Sequence, residues 1–174
     1  LTVTHTGLGD TKTQDFTFDL ANPTLIFNAL ELDDPAKVAA LTSLGATTAP
    51  TAAEAASGAG AVILSLNAPH IVRAAVFGTD GVAAGAARGT LIIDMSFIDP
   101  AATRALAADA AALGLRWVDS PLSGGIPKAA LGQLTLMQGG AADDVAEAQA
   151  IILRSCDALA PKATPLADCL GLML

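Results

Sequence analysis

The chain has 174 residues, of which 52% are hydrophobic and 15% charged, enough to bury the core of one domain and begin a second. Its net charge of −8, one Trp and absence of Tyr exclude the basic, stacking surface of a nucleic-acid-binding protein. Apolar runs such as Ala61–Leu66 are far shorter than the ~20 residues of a membrane-spanning helix, and the N-terminus lacks a signal-peptide pattern. We therefore expect a cytoplasmic protein with no membrane partner.

Short β-branched or apolar runs alternate along the chain with alanine-rich stretches. The predicted strands are Thr2–Thr6, Leu25–Ala29, Ala61–Leu66, Thr90–Asp94, Leu115–Asp119 and Leu134–Met137. The predicted helices are Pro35–Leu44, Ala52–Ala56, Pro69–Phe77, Pro100–Leu113 and Asp143–Leu153. An aspartate precedes Pro35 and Pro100, so it can cap the helix while proline occupies the first turn. Glycines 78, 89 and 114 lie where helices are expected to stop.

Two of the predicted strands, at 61–64 and 91–93, are continuously apolar rather than alternating. That pattern is typical of parallel strands covered on both faces by helices. Strand–helix–strand units with right-handed crossovers build a doubly wound parallel sheet, so we predict an α/β fold. Ligands of such sheets bind at the carboxyl ends of the strands, where the strand order reverses.

A glycine turn, Gly7-Leu8-Gly9-Asp10, follows the first predicted strand. In a Rossmann-like dinucleotide-binding domain the first such glycine makes the tight turn, and the second lets the backbone approach the pyrophosphate. Lys12 stands where a third glycine is expected, so an ordinary β-turn is the alternative. An acidic residue near the end of the second strand would bind the ribose hydroxyls, and we assign Asp33 this role, with Glu31 and Asp34 close by. No arginine lies nearby to bind a 2′-phosphate, so the sequence favours NAD over NADP. For any one of these acidic residues, a solvated charged turn before a helix is an equally good interpretation.

Three further segments follow predicted strands at the same edge of the sheet. Leu66-Asn67 and Ser96-Phe97 lie where the ribose and nicotinamide of a cofactor would rest. Ser123-Gly124-Gly125 offers a hydroxyl and unhindered backbone N–H groups to a substrate carboxylate, with a plain turn as the alternative. Cys156 and Cys169 lack metal-ligand spacing, so we interpret both as reduced packing residues and expect no metal site.

Together these segments resemble the β-hydroxyacid dehydrogenases, the family of 3-hydroxyisobutyrate dehydrogenase, tartronate semialdehyde reductase and L-threonate dehydrogenase. The resemblance is dense from about Pro35 to Leu153 and is carried by residues 35–38, 89–96, 119–125 and 132–140. It implies hydride transfer between NAD or NADP and a small β-hydroxyacid. It also implies that residues 7–10 hold the pyrophosphate, that Leu66, Asn67, Ser96 and Phe97 line the cofactor, and that residues 123–125 bind the substrate carboxylate.

Two departures from that family matter for activity. The family's catalytic lysine is expected near Cys169–Leu172, where this sequence has none, and Lys162 lies too early. Without a cationic acid/base group, hydride transfer lacks its proton donor, so we expect the chain as it stands to be inactive. The family also continues into an all-helical C-terminal domain, which usually builds a homo-oligomer. We accordingly predict a dinucleotide-binding domain at 1–160 and the truncated start of an interdomain helix at 161–174.

Two other functions are compatible with these residues. A non-catalytic binding or assembly module would keep the fold and need no lysine, and Lys12 and Phe97 favour it. A related reductase, such as an imine reductase, would use Asp168 or another group as the acid. The loop at 123–125 argues against that second alternative, because an imine has no carboxylate to bind.

Overall fold

The structure is a computed structural model that describes residues 15–17, 23–27, 47–124, 134–159 and 170–173, with side-chain surroundings over 49–124 and 134–152. The strands are β1 (Asp15–Thr17), β2 (Pro23–Phe27), β3 (Thr47–Ala49), β4 (Ala61–Ser65), β5 (Leu91–Asp94), β6 (Arg116–Asp119), β7 (Leu122–Ser123), β8 (Leu134–Met137) and β9 (Leu170–Met173). The helices are α1 (Ala52–Ala56), α2 (Pro69–Phe77), α3 (Val82–Gly85), α4 (Pro100–Ala112) and α5 (Ala142–Leu159).

A four-stranded parallel sheet in the order β2-β4-β5-β6 forms the centre of the fold. Ile63 pairs with Ile93, and Ile93 pairs with Val118, so β4, β5 and β6 are aligned side by side from end to end. All four residues of β5 are buried. The α/β fold with a parallel sheet is therefore confirmed, and the reason is the one the sequence indicated: strands covered on both faces by helices are mostly apolar.

One face of this sheet packs against α1, α2 and α4. The cluster on this face joins Val62, Leu64, Ile92 and Trp117 to helix residues such as Val72 and Leu106. Helix α5 contacts β5 and β6 through buried residues outside that cluster, Ala148, Ile151 and Ile152. Because side chains alternate between the faces of a strand, Ile63, Ile93 and Val118 point to the opposite side, where α5 lies. Helices thus cover both faces.

Helix boundaries follow the local sequence signals. The Asp99 carboxylate accepts hydrogen bonds from the N–H groups of Ala101 (3.0 Å) and Ala102 (2.9 Å), which caps α4 behind Pro100. Thr51 caps α1 by accepting from the N–H of Glu54 at 3.1 Å. Gly114 follows α4 with a φ of +79°, the left-handed conformation that lets a helix end sharply. The predicted caps at Asp99 and Gly114 are confirmed, whereas Asp34 and Pro35 lie outside the described residues.

Two smaller sheets flank the central one. Strands β7, β8 and β9 form a three-stranded sheet, with β7 antiparallel and β9 parallel to β8, and β1 pairs with β3. The residues of β9 belong to the segment where we expected the start of an interdomain helix. We expected helix here, and the structure has a strand at Leu170–Met173. The run Leu-Gly-Leu-Met is short and apolar with an internal glycine, which suits a strand at least as well as a helix.

Other differences are small. Strand β2 begins and ends two residues before the predicted Leu25–Ala29, and α5 starts at Ala142 and continues to Leu159. The predicted strand Thr2–Thr6 and helix Pro35–Leu44 lie outside the described residues. Within the part of the chain that the structure describes, no helix is both long and apolar enough to cross a membrane.

Candidate active site at the carboxyl edge of the sheet

The ends of β4, β5 and β6 meet at one edge of the central sheet. Leu64 pairs with Asp94, and Asp94 pairs with Asp119, so the segments that follow these strands start side by side. These are the segments that carry Leu66-Asn67, Ser96-Phe97 and Ser123-Gly124. The sequence predicts a common edge because parallel strands all end on the same side, and the structure shows that the three segments start side by side there.

Ser96 joins the first two of these segments. Its hydroxyl accepts a hydrogen bond of 2.9 Å from the backbone N–H of Leu66. Its own N–H donates to the Asp94 carboxylate at 3.0 Å. The side chains of Ser96 and Leu66 are both buried, whereas Asn67 is exposed and Phe97 is 82% exposed. Of the four residues expected to line the cofactor, Asn67 and Phe97 therefore present their side chains to solvent, and Leu66 and Ser96 organise the backbone behind them.

Asp94 is a fully buried acid at the end of β5, with 0% of its surface exposed. Burial raises the pKa of its carboxyl to about 6, against hydrogen bonds from Ser96 that lower it, and the nearby Asp119 raises it slightly further. Among the described residues, its Oδ2 atom has no hydrogen-bond partner. A buried carboxylate with one unpartnered oxygen is unfavourable by itself. An aspartate at this position therefore points to a specific structural or functional role.

The segment after β6 is tied to its neighbours on both sides. The N–H of Ser120 donates to the carbonyl of Asp94 at 2.7 Å, and Asp119 and Gly139 exchange two backbone hydrogen bonds of 2.9 and 2.8 Å. The Gln138 amide nitrogen donates to the buried Ser120 hydroxyl at 3.2 Å. Burial raises the pKa of the Asp119 carboxyl as well. These contacts fix the start of the expected carboxylate-binding segment.

Ser123 and Gly124 extend from this anchored base. Ser123 ends β7, pairs with Thr135 of β8 and is exposed to solvent. Gly124 has a φ of +132°, a conformation that side-chain-bearing residues rarely adopt, so its N–H direction depends on glycine. An exposed hydroxyl beside such a backbone can donate to an anion.

The other predicted site residues lie outside the described part of the chain. They are Gly7, Leu8, Gly9, Asp10, Asp33 and Gly125, together with Cys169 at the expected lysine position. In a dinucleotide fold, the strand beside β4 is the one followed by the glycine turn. In this structure β2 occupies that place, and Asn28 follows it in the sequence.

Sequence reasoning missed three polar residues behind the edge, namely the buried Asp94 and Ser120 and the half-buried Gln138. An acid at the end of an apolar run was the available signal for Asp94, because such a residue is either exposed or held by specific partners. Gln138 gave no signal, since its partner Ser120 is separated from it by a hairpin whose pairing only the structure shows.

The described residues suit the nicotinamide half of a dinucleotide. The second half of a doubly wound sheet, here β4 to β6, ends in exposed groups that can contact a ring and ribose: the Asn67 amide, the Phe97 ring and the Ser123 hydroxyl. The segments that would hold the pyrophosphate and the adenosine ribose lie outside the described residues.

Comparisons with known proteins agree with this geometry. The model of the NAD-binding domain of 6-phosphogluconate dehydrogenase matches residues 26–161, which leaves the glycine turn at 7–10 outside the match. An NAD-dependent L-serine dehydrogenase of Pseudomonas aeruginosa is 38% identical over 124 residues, covering 71% of this chain and 41% of that protein. A 3-hydroxyisobutyrate dehydrogenase of the same organism is 38% identical over 118 residues, covering 68% of this chain and 40% of that protein.

A solved structure gives the same picture. The 3-hydroxyisobutyrate dehydrogenase of Mycobacterium tuberculosis, solved with L-serine, has a TM-score of 0.62 and 30% identity, covering 73% of this chain and 41% of that one. The chain thus spans about 40% of the length of the curated relatives it matches. The family model covers well over half of this chain. The chain therefore belongs to the family of the NAD-binding domain of 6-phosphogluconate dehydrogenase, and its relatives are β-hydroxyacid dehydrogenases similar to 3-hydroxyisobutyrate dehydrogenase.

Proposed function

We propose that this chain is the cofactor-binding part of an oxidoreductase that transfers a hydride between a nicotinamide dinucleotide and a small β-hydroxyacid. The observation that carries the proposal is the meeting of three segments at the carboxyl edge, where Ser96 bonds to Leu66 and Ser120 bonds to Asp94. The relatives named for L-serine and 3-hydroxyisobutyrate act on small hydroxyacids, and both compounds carry a carboxylate.

The two halves of the dinucleotide would both lie along this edge of the sheet. We assign the pyrophosphate to the backbone of residues 7–10 and the adenosine ribose to Asp33, which favours NAD over NADP. The nicotinamide half would contact Asn67 and Phe97, with the backbone of Leu66 and Ser96 behind them. When bound, the dinucleotide would supply the nicotinamide carbon that exchanges the hydride with the substrate.

The substrate would bind beside it through its carboxylate. The Ser123 hydroxyl and the backbone N–H groups of Gly124 and Gly125 are the donors we assign to that group. The backbone hydrogen bonds of Asp119 to Gly139 and of Ser120 to Asp94 anchor the start of this segment beside β5. Such positioning holds the hydroxyl-bearing carbon of a short acid against the nicotinamide half, whereas a longer acid would be held too far away.

The proton has no donor or acceptor in this assignment. Residues 169–172 contain no lysine, so we expect the 174 residues alone to bind cofactor without turnover. We propose that the acid/base group comes from a helical domain, which in the family also makes the homo-oligomer. Tartronate semialdehyde and 3-hydroxyisobutyrate are the substrates we would test first in such a whole enzyme.

A second candidate function is a non-catalytic module that binds a dinucleotide or assembles with a partner. The missing lysine favours it, as does the exposed Phe97 ring in a position that we expect to line the cofactor. The two candidates differ at residues 123–125, which only the enzyme needs.

Saturation-transfer NMR on the full 174-residue chain tests the proposal. We expect 3-hydroxyisobutyrate to show transfer when NADH is present, and Ser123→Ala to abolish it. Thr135→Ala, which changes the residue paired with Ser123 on β8, is the matched control and should keep it. NADH binding without acid binding would favour the non-catalytic module, and absence of both would contradict the proposal.

A further inference from the structure

We propose that Asp94 is a positioning residue that couples the two cofactor-lining segments after β4 and β5 by acting through Ser96. The inference rests on the proposed function in one respect, namely that the dinucleotide binds at this edge. The coupling itself is a property of the described residues, and amide hydrogen exchange tests it without any cofactor.

A continuous hydrogen-bonded path connects the two segments. The Asp94 carboxylate accepts from the N–H of Ser96 at 3.0 Å, which holds the backbone of that residue in a tight turn. The Ser96 hydroxyl then accepts from the N–H of Leu66 at 2.9 Å. All three residues are buried, with exposed fractions of 0% for Asp94, 2% for Ser96 and 4% for Leu66.

The path exists because the sheet ladder has ended. The N–H of Met95 donates to the carbonyl of Leu64 at 2.7 Å, and in the described part of the chain this is the last backbone hydrogen bond between the β4 and β5 segments. One step further, the N–H of Leu66 is buried and receives a side-chain acceptor from Ser96 instead. Removing that acceptor would leave a buried donor without a partner, a loss that normally forces the backbone to move.

Asp94 is a costly way to fill this position, which argues that its carboxylate is used. Burial and the neighbouring Asp119 both act against its charge, and an apolar residue would complete the core with no such penalty. A small residue would leave Ser96 free to rotate away from Leu66. The carboxylate instead fixes the Ser96 backbone, and so the direction in which its hydroxyl points.

The residues directly after Leu66 and Ser96 in the sequence are exposed at the carboxyl edge. Asn67 comes directly after Leu66, and Phe97 comes directly after Ser96. Their mutual placement is therefore set by the path from Asp94 through Ser96 to Leu66. A dinucleotide that contacts both would bind a preformed pair of segments and would not have to order them.

Four variants of the full chain separate this role from general stability. Asp94→Ala removes the acceptor, Asp94→Asn keeps one oxygen for the Ser96 N–H, and Ser96→Ala removes the hydroxyl. Thr90→Val is the matched control, because the buried Thr90 hydroxyl donates to the carbonyl of Ala59 at 3.2 Å. That bond also links β4 to β5, but at the opposite end of the sheet.

Two measurements are made on each variant. Amide hydrogen exchange by NMR reports the Leu66 N–H directly and needs no cofactor, and calorimetry gives the dissociation constant for NADH. We expect Leu66 exchange to rise about tenfold or more in Ser96→Ala and Asp94→Ala, and NADH binding to weaken about tenfold in both. Asp94→Asn should restore both properties to within about threefold of the original chain, while Thr90→Val changes neither.

The proposal is overturned if Asp94→Ala leaves Leu66 exchange unchanged, or if Thr90→Val weakens NADH binding as much as Ser96→Ala. Equal losses in Asp94→Asn and Asp94→Ala would also overturn it, because charge and not the acceptor would then matter. If Asp94→Ala does not fold, Ser96→Ala and Asp94→Asn still decide the outcome. If the original chain binds no NADH, the proposed function fails, and the exchange measurement alone decides whether the coupling exists.

Discussion

Asp94 and Asp119 are direct neighbours across β5 and β6, and each is the last residue of its strand. Two carboxyl groups thus lie beside each other at the edge of a parallel sheet, one of them fully buried. Because β5 and β6 pair with their last residues side by side and both end in an aspartate, the two acids are necessarily adjacent. Burial raises the pKa of both carboxyl groups, with that of Asp94 reaching about 6.

The stability of the fold should fall with increasing pH in the range where Asp94 titrates. The folded chain keeps the Asp94 proton up to a pKa of about 6, whereas the unfolded chain releases it near the ordinary value of 3.8. Folding therefore binds more protons between these values, and the contribution is present below pH 3.8 and lost as pH rises through about 6. From pH 4 to 7, Asp94→Asn should gain on the order of 2 kcal/mol relative to the original chain.

Urea unfolding of both proteins across this pH range measures that difference. Carboxyl groups other than the neighbouring Asp119 titrate alike in the two proteins, so the difference reports on Asp94 and its coupling to Asp119. A difference independent of pH would mean that Asp94 titrates as an ordinary carboxyl.

Arg116 should be a strong contributor to the attachment of α5. Its guanidinium donates to Asp144 at 2.8 Å and to both Glu147 oxygens at 2.5 and 3.1 Å, and its Nε donates to the carbonyl of Gly89 at 2.8 Å. Arg116→Ala is expected to lower the free energy of unfolding by about 1.5–3 kcal/mol, measured by urea denaturation.

A surface ion pair provides the control for Arg116. Arg73 and Asp109 are 2.8 Å apart with side chains 51% and 50% exposed, so Arg73→Ala should cost less than about 1 kcal/mol. Equal losses in the two variants would show that the bonds to α5 add nothing beyond an exposed pair.

Gly85 should not tolerate a side chain, because α1 and α3 approach closely there. A Cβ at this position would collide with the backbone carbonyl oxygen of Ala53, which no side-chain movement can relieve. Gly85→Ala is expected to destabilise the chain by about 1–3 kcal/mol in thermal or urea unfolding. Gly60→Ala is the control, since a Cβ there meets no described atom within 4 Å, and it should stay within about 0.5 kcal/mol.

Phe97 belongs to a segment that we assign to the nicotinamide half, and its ring is 82% exposed and offers the cofactor no hydrogen bond. Phe97→Thr should leave the melting temperature unchanged and strengthen NADH binding about two- to tenfold, the range of one added hydrogen bond. Calorimetric titration of both proteins measures this. Weaker binding by the variant would show instead that the ring packs against the cofactor.

Much of the central sheet was predictable from local sequence. The runs at 61–64 and 91–93 are apolar without interruption, and that pattern has one common cause, burial on both faces. Helices α1 and α2 were predicted with their observed bounds, and α4 to within one residue. Pro69, Asp99 and Gly114 are the local start and stop signals for α2 and α4.

Elements defined by distant partners were not predictable. Strand β7 has only two residues and exists through its pairing with β8, and α3 is four residues long, too short for periodicity to be recognised. The carboxyl edge could be located, since parallel strands end together. The bond from Leu66 to Ser96 could not, because it spans 30 residues and depends on the register of two strands.

The most direct test is an NMR titration of the full chain with NADH, following each backbone amide. We expect the largest shifts at Asn67, Phe97 and Gly124, in the segments that follow the carboxyl ends of the strands. Gly60 and Gly89, at the amino ends of β4 and β5, should not move. No shifts at about 1 mM NADH, or shifts centred on the amino edge, would contradict the claim that this edge binds a nicotinamide dinucleotide.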